Sequence, residues 1–136
     1  MLTRDLAERC DAVLAIEVAP AALDTARARC RDRPQVAFVR GQAPGDWPDG
    51  RFDLILLSEV VYYLDRPDVE RLAGRIRSSL GPAGDVVLVH WTGETDYPLS
   101  GDEAADLLIA RSDGFLSVHA QARTDKYRLD VLRRTA

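Results

Sequence analysis

Residues able to do chemistry gather where short apolar runs end. Glu17 closes the run over residues 12–16. A carboxylate at the carboxyl end of a buried strand can accept from both hydroxyls of a ribose. Val18 follows and offers an apolar edge to a base. Gln42, Ala43 and Trp47 occupy the loop after the next run. A Gln carbonyl can accept from an exocyclic amino group, and an indole supplies a flat wall. An adenine ring needs both. The plainer alternatives are a helix N-terminal acid for Glu17 and a loop anchor under Pro44 and Pro48 for Trp47.

Ser58, Glu59 and Val60 leave the third run. Glu59 can accept from an ammonium group on a cofactor or a substrate; otherwise it is a solvated carboxylate. Tyr62 and Tyr63 are adjacent, so one faces a pocket while the other packs, and Tyr63 is expected to be the one that faces it. His90 and Trp91 end a fourth run. His90 can remove a proton from an amine or hydroxyl; the alternative is a structural histidine satisfied by backbone groups. His119 lies mid-strand near an edge and is given no role.

These residues must be positioned by a regular scaffold. Leu2, Leu6 and Cys10 fall on one helical face. Residues 12–16 read as a buried parallel strand. Pro20 suits the first turn of a helix running to about Arg31, with Leu23, Ala26 and Cys30 inward. Residues 36–39 and 52–57 are the next strands. Asp65 and Pro67 open a helix with Val69, Leu72, Ala73, Ile76 and Leu80 at helical spacing, and Gly81, Pro82 and Gly84 end it. Residues 86–89 are a fourth strand. Ser100 and Glu103 form a capping box for a helix over residues 102–111. Residues 115–122 and 126–133 are two last strands, and the tight turn at Thr124 and Asp125 makes them antiparallel. Alternating strands and helices predict a doubly wound α/β fold, mostly parallel and covered on both faces, with a C-terminal antiparallel hairpin.

Composition narrows the functions. The chain has 136 residues, one domain at most, with 18 basic and 22 acidic residues and a net charge of −4. That balance argues against nucleic acid, which needs a concentrated basic face. Cys10 and Cys30 read as reduced core residues of a cytoplasmic protein. No apolar stretch is long enough to span a bilayer, and no signal peptide is evident. Lys126 is the only lysine. That argues against a pyridoxal enzyme, and neither Tyr62 nor Tyr63 has a lysine four residues on, as a short-chain dehydrogenase needs. No G-x-x-x-x-G-K motif is present.

A ribose-binding acid normally follows a glycine motif by roughly 20 residues. Counting back from Glu17 passes Met1. The expectation is therefore that the fold's first, central strand and its glycine loop are missing, and that Met1 is not the fold's natural boundary.

The residues resemble a family at this point. Residues 14–23, 52–64, 80–84 and His90-Trp91 leading into residues 96–102 resemble class I S-adenosylmethionine-dependent methyltransferases. The Ser-Glu-Val-x-Tyr-Tyr-Leu and Tyr-Pro-Leu-Ser-Gly-Asp runs resemble the NodS-like nodulation methyltransferases. The resemblance covers nearly the whole chain. It implies S-adenosyl-L-methionine as cofactor and a small-molecule methyl acceptor, with an amine as one candidate. Glu17, Val18, Gln42, Ala43, Trp47, Ser58, Glu59, Val60 and Tyr63 would then bind cofactor. Tyr63, His90, Trp91 and Tyr97 would face the substrate, with His90 and Glu59 catalytic. Gln42 stands where these enzymes usually carry Asp. Without the glycine loop, whose backbone must approach the cofactor closely, cofactor binding is expected to be weak or absent.

Two other readings stay open. One is a catalytically inactive remnant, or a scaffold that self-associates through strand edges exposed by the missing strand. The other is a nicotinamide-dependent oxidoreductase on the same fold. Neither a nucleic acid nor a membrane is an expected partner.

Overall fold

A computed structural model describes residues 2–135. They form two compact units that divide between Trp47 and Pro48.

The first unit contains α1 (Leu2–Ala7), β1 (Val13–Glu17), α2 (Pro20–Arg29) and β2 (Val36–Arg40). β1 and β2 pair in parallel, with Glu17 opposite Arg40. Pro20 opens α2, where its missing N–H costs nothing. α1 stops earlier than its apolar stripe predicts. The Gln35 side-chain amide donates to the Ala7 carbonyl at 2.9 Å, satisfying an orphan acceptor at the helix end. Arg4 donates to Asp32 at 2.6 Å and holds that carboxyl well down, at about 2.

The second unit is larger. It contains β3 (Phe52–Ser58), a short 3₁₀ turn (Val61–Tyr63), α3 (Arg66–Ser79), β4 (Leu80–Trp91), α4 (Gly101–Arg111), β5 (Leu116–Arg123) and β6 (Tyr127–Arg134). Its four strands run in the order β3-β4-β6-β5. β3 is parallel to β4, and both other pairings are antiparallel. The predicted terminal hairpin is therefore present, and its second strand joins it to the sheet.

One face of this sheet carries Ile55, Leu57, Val86, Leu88, His90 and Leu132, all buried. α4 packs on β4 and β6 there, and α3 lies against α4. Arg111 reaches Glu70 at 3.0 Å, joining the two helices. The opposite face carries Leu54 and Leu129, both exposed. The helices of this unit thus gather on one face rather than two. Asp65 caps α3 by accepting from the Asp68 N–H at 2.9 Å, and the Ser100–Glu103 capping box starts α4 as predicted.

Two sequence expectations change here. Among the described residues the strands fall into a two-stranded sheet, β1-β2, and a four-stranded sheet, β3-β4-β6-β5. β4 also starts at Leu80 rather than at residue 86. Gly81 to Gly84 do end the helix, but they form a bulged strand start. Phe52 pairs with Leu80, Leu54 with Asp85, and Ala83 takes a φ of +56° between them.

Candidate active site

The second unit carries an open cavity of about 370 Å³ where β3 and β4 end. Glu59 and Tyr62 line it from the turn after β3, and Trp91 from the end of β4. Glu94, Thr95, Asp96 and Tyr97 line it from the segment leading to α4, and Tyr127 from β6.

Glu59 is the structural centre. It is not glycine, yet it adopts φ +58°, a left-handed conformation that costs energy and clusters at functional sites. Its own N–H donates to the Val89 carbonyl at 2.8 Å. Its Oε1 accepts from the Trp91 N–H at 2.9 Å. Its Oε2 accepts from the Tyr62 hydroxyl. The carboxylate is thus fixed between the ends of two parallel strands. Burial, then the Glu59 carboxylate, pushes the Tyr62 hydroxyl above its ordinary pKa, so Tyr62 stays protonated and donating.

The wall formed by residues 92–100 is held along its length. The Thr92 N–H donates to the Lys126 carbonyl at 2.8 Å, and the Leu99 N–H to the Tyr62 carbonyl at 3.2 Å. Trp91 meets Tyr127 edge-to-face at 5.5 Å, as their cross-strand pairing dictates. The lining combines aromatic rings with three carboxylates and no basic side chain. Such a lining attracts a cation, through charge and through the ring faces.

The sequence-predicted residues fare differently. Glu59 and Trp91 line the cavity, as does Tyr97. Ser58 and Val60 flank Glu59 and are half-buried. Tyr63 does not line the cavity. It is 52% exposed, and its hydroxyl donates to Tyr97 at 3.2 Å, while the buried Tyr62 takes the inward place. The preference for Tyr63 over Tyr62 is corrected accordingly. Turn geometry decided it, because Tyr62 is the partner that can reach Glu59.

His90 also needs correction as a base. It is wholly buried, and its Nε2 accepts from the Val61 N–H at 3.2 Å. The lone pair is therefore occupied and faces the core. Burial holds the imidazole below its ordinary pKa and keeps it neutral. His90 is better described as the anchor of the 3₁₀ turn.

Sequence reasoning gave no role to Tyr62, Glu94, Thr95 or Tyr127. Asp96 was visible in the quoted motif, but nothing local marks Tyr127, which arrives through strand register.

In the first unit Glu17 ends β1, half-buried. Its Oε1 accepts from the Ala19 N–H at 3.0 Å, while Oε2 has no partner among the described residues. Gly41 donates to the Glu17 carbonyl at 3.1 Å and brings the following loop to the strand end. Gln42 is exposed there, and its N–H donates to Asp46 at 2.9 Å. Ala43 and Trp47 are half-buried, and Val18 is exposed. An available carboxylate oxygen, an exposed Gln and an apolar edge suit an adenosyl group. Residues 1–40 contain no glycine for the amino-acid end.

Residues 1–84 match the methyltransferase domain family. The chain belongs to that family. It is 31% identical over 86 residues to nodulation protein S of Rhizobium tropici, which covers 62% of this chain and 36% of that protein. The chain thus spans about a third of the length of that curated relative. A solved methyltransferase structure from Pseudomonas syringae superposes with a TM-score of 0.84 at 32% identity, covering 98% of this chain and 80% of that one. The N-methyltransferase NodS from Bradyrhizobium japonicum WM9, solved with S-adenosyl-L-homocysteine, gives 0.82 at 20% identity, covering 98% and 72%. At that identity the second likeness speaks for the fold alone. Among the described residues no helix is long and apolar enough to cross a membrane.

Proposed function

We infer that this chain serves S-adenosylmethionine-dependent methyl transfer to a small-molecule amine, its two units being parts of one methyltransferase domain. The observation that carries the amine is the fixed Glu59 carboxylate in an aromatic cavity without a basic side chain. Membership of the family carries the methyl transfer.

S-adenosylmethionine supplies, when bound, a methyl group already activated on a sulfonium, so alignment of the acceptor is the protein's main task. Glu17 would hold the ribose, Val18 and Trp47 the apolar faces of the base, and Gln42 with Ala43 its edge. Ser58 and Val60 would lie beside the cofactor's methionine portion, as the family resemblance implies. In the cavity Glu59 accepts from the acceptor's ammonium group and takes its proton, leaving a lone pair for attack. Tyr62 keeps the carboxylate in place. Trp91 and Tyr127 wall the amine, and Tyr97 closes the side next to them. No role for His90 in proton transfer is retained.

The test is transfer of labelled methyl from concentrated S-adenosylmethionine to matched amines, alcohols and thiols, beside calorimetric titration with S-adenosylhomocysteine. Weak but saturable cofactor binding and transfer to amines are expected. Transfer only to alcohols or thiols would remove the amine. Absence of both binding and transfer would remove the methyltransferase activity from this chain.

A further inference from the structure

We propose that His90, which does not line the cavity, positions the Glu59 carboxylate for the amine and does so only while its imidazole is neutral. The inference rests on the amine reading above and adds a positioning residue to it.

Glu59 needs holding from both sides, because its left-handed backbone persists only where the surroundings over-determine it. On its amino side the Glu59 N–H donates to the Val89 carbonyl at 2.8 Å. On its carboxyl side the chain enters the 3₁₀ turn at Val61. The first N–H groups of a helix have no partner within it, and the cap residue Val60 provides no side-chain acceptor. Nε2 of His90 supplies that acceptor at 3.2 Å. Three consecutive residues of β4 thus grip this segment: the Val89 carbonyl, the His90 ring, and the Trp91 N–H, which donates to Glu59 Oε1 at 2.9 Å. The His90 ring also meets the Tyr62 ring edge-to-face at 5.2 Å, and the Tyr62 hydroxyl holds the other carboxylate oxygen.

Packing alone does not call for a histidine here. Val86 and Leu88 precede it as inward, wholly buried residues of β4. With Nε2 accepting, the neutral ring carries its proton on Nδ1. That buried nitrogen has no hydrogen-bond partner among the described residues, and an orphaned buried donor destabilises a fold. A leucine would avoid the orphan but could not accept from Val61. The acceptor is what the ring contributes.

Charge removes that acceptor. In the imidazolium both nitrogens donate, so Nε2 would face the Val61 N–H donor to donor. Burial opposes the charged ring most; Glu59 and Asp130 of β6 favour it, and Arg128 of β6 opposes it. Tyr62 stays protonated. α4 approaches the ring at Gly101, and its carboxylates Asp102 and Asp106 are both bound to Arg128. Acid therefore frees the turn and, with it, Glu59.

The experiment compares the whole chain as wild type, as His90→Gln, which keeps an acceptor without titrating, and as His90→Leu, which has none. NMR of labelled histidine and tryptophan reads the imidazole and the Trp91 backbone amide without any ligand. Calorimetry with n-butylamine reads the site. The neutral wild-type ring should carry its proton on Nδ1. As pH falls from about 7.5 to about 5, the Trp91 amide should lose its hydrogen-bonded shift at the His90 midpoint. His90→Gln should keep that shift over the same range, and His90→Leu should lack it throughout. n-Butylamine should bind His90→Leu at least about ten-fold more weakly than wild type, and His90→Gln within about three-fold of it. A proton on Nε2, a Trp91 amide unchanged in His90→Leu, or the same midpoint in His90→Gln would overturn the proposal. If His90→Leu does not fold, the pH series of wild type and His90→Gln decide it. A Trp91 amide that follows His90 while the wild type binds no amine would overturn the amine reading and leave the placement of Glu59 by His90 standing.

Discussion

The Val61 backbone N–H donates to Nε2 of His90 at 3.2 Å inside the core, so this histidine is a fixed acceptor. Burial, its largest influence, lowers the folded pKa; Glu59 and Asp130 oppose that, and Arg128 adds to it. The unfolded chain therefore binds a proton first as pH falls. Stability is complete above the ordinary value near 6.5 and is lost on acidification towards the lower folded value, with a slope of at most about 1.4 kcal/mol per pH unit. Urea unfolding between about pH 7.5 and 5 should show this slope in the wild type. His90→Gln, which keeps an acceptor without titrating, should flatten it. An identical slope in the variant would place the effect elsewhere.

Glu59 combines a left-handed backbone with two accepted hydrogen bonds. Glu59→Ala leaves the half-buried Trp91 N–H and the buried Tyr62 hydroxyl without their acceptor, and should cost about 1–3 kcal/mol. Glu59→Gln keeps an acceptor and should cost less than half as much. It should nevertheless weaken amine binding as strongly as the alanine variant does. Denaturation midpoints beside amine titrations separate the two effects. A Gln variant that binds amines normally would remove the charge from the argument.

Much of this was legible because it is local. The capping box at Ser100 and Glu103, Pro20 at a helix start, and Glu59 and Trp91 at strand ends all follow from short spacings. The choice between Tyr62 and Tyr63 was not legible, because a 3₁₀ turn of three residues is a single turn and too short to show a repeat. Tyr127 was hidden for a different reason. Its neighbour Trp91 is 36 residues away, and only the β4–β6 register brings them together. For His90 the sequence offered both a base and a histidine satisfied by backbone groups, and could not choose, because the partner is a backbone amide that every residue type except proline supplies. That β1 pairs with β2 and β3 with β4, with no pairing across the two sheets among the described residues, shows only in the pairings.

Arg128 is buried on β6 and donates to Asp130, Asp102 and Asp106, each at 3.0 Å. Burial disfavours its charge, but these carboxylates raise its pKa overall. Asp130 is 1% exposed and also accepts from Gln121 at 2.7 Å. Arg128→Met would strand that carboxylate and should cost about 3–5 kcal/mol. Adding Asp130→Leu should recover most of the loss, because an apolar pair of similar volume replaces a desolvated ion pair. Urea denaturation of both variants measures this. A double variant no more stable than the single one would mean that the ion pair itself, and not the abandoned charge, sets the cost.

Two glycines predict opposite outcomes for one substitution. Gly101 is the first residue of α4, and a Cβ there would lie 2.0 Å from the Trp91 carbonyl oxygen, a backbone atom that cannot rotate away. The close approach seats α4 on the end of β4, immediately beside the cavity wall. Gly101→Ala should force the helix off and cost at least about 1–3 kcal/mol, as overpacking does. Gly74 lies on the exposed face of α3, and a Cβ there meets nothing within 4 Å. Gly74→Ala should instead stabilise by about 0.4–1 kcal/mol, chiefly by restricting the unfolded chain. Thermal melts of the two variants should move in opposite directions. Amine binding should weaken only in Gly101→Ala, because only that helix start is continuous with the segment carrying Glu94, Asp96 and Tyr97. If both variants melted higher than the wild type, α4 would have to sit farther from Trp91 than this geometry places it.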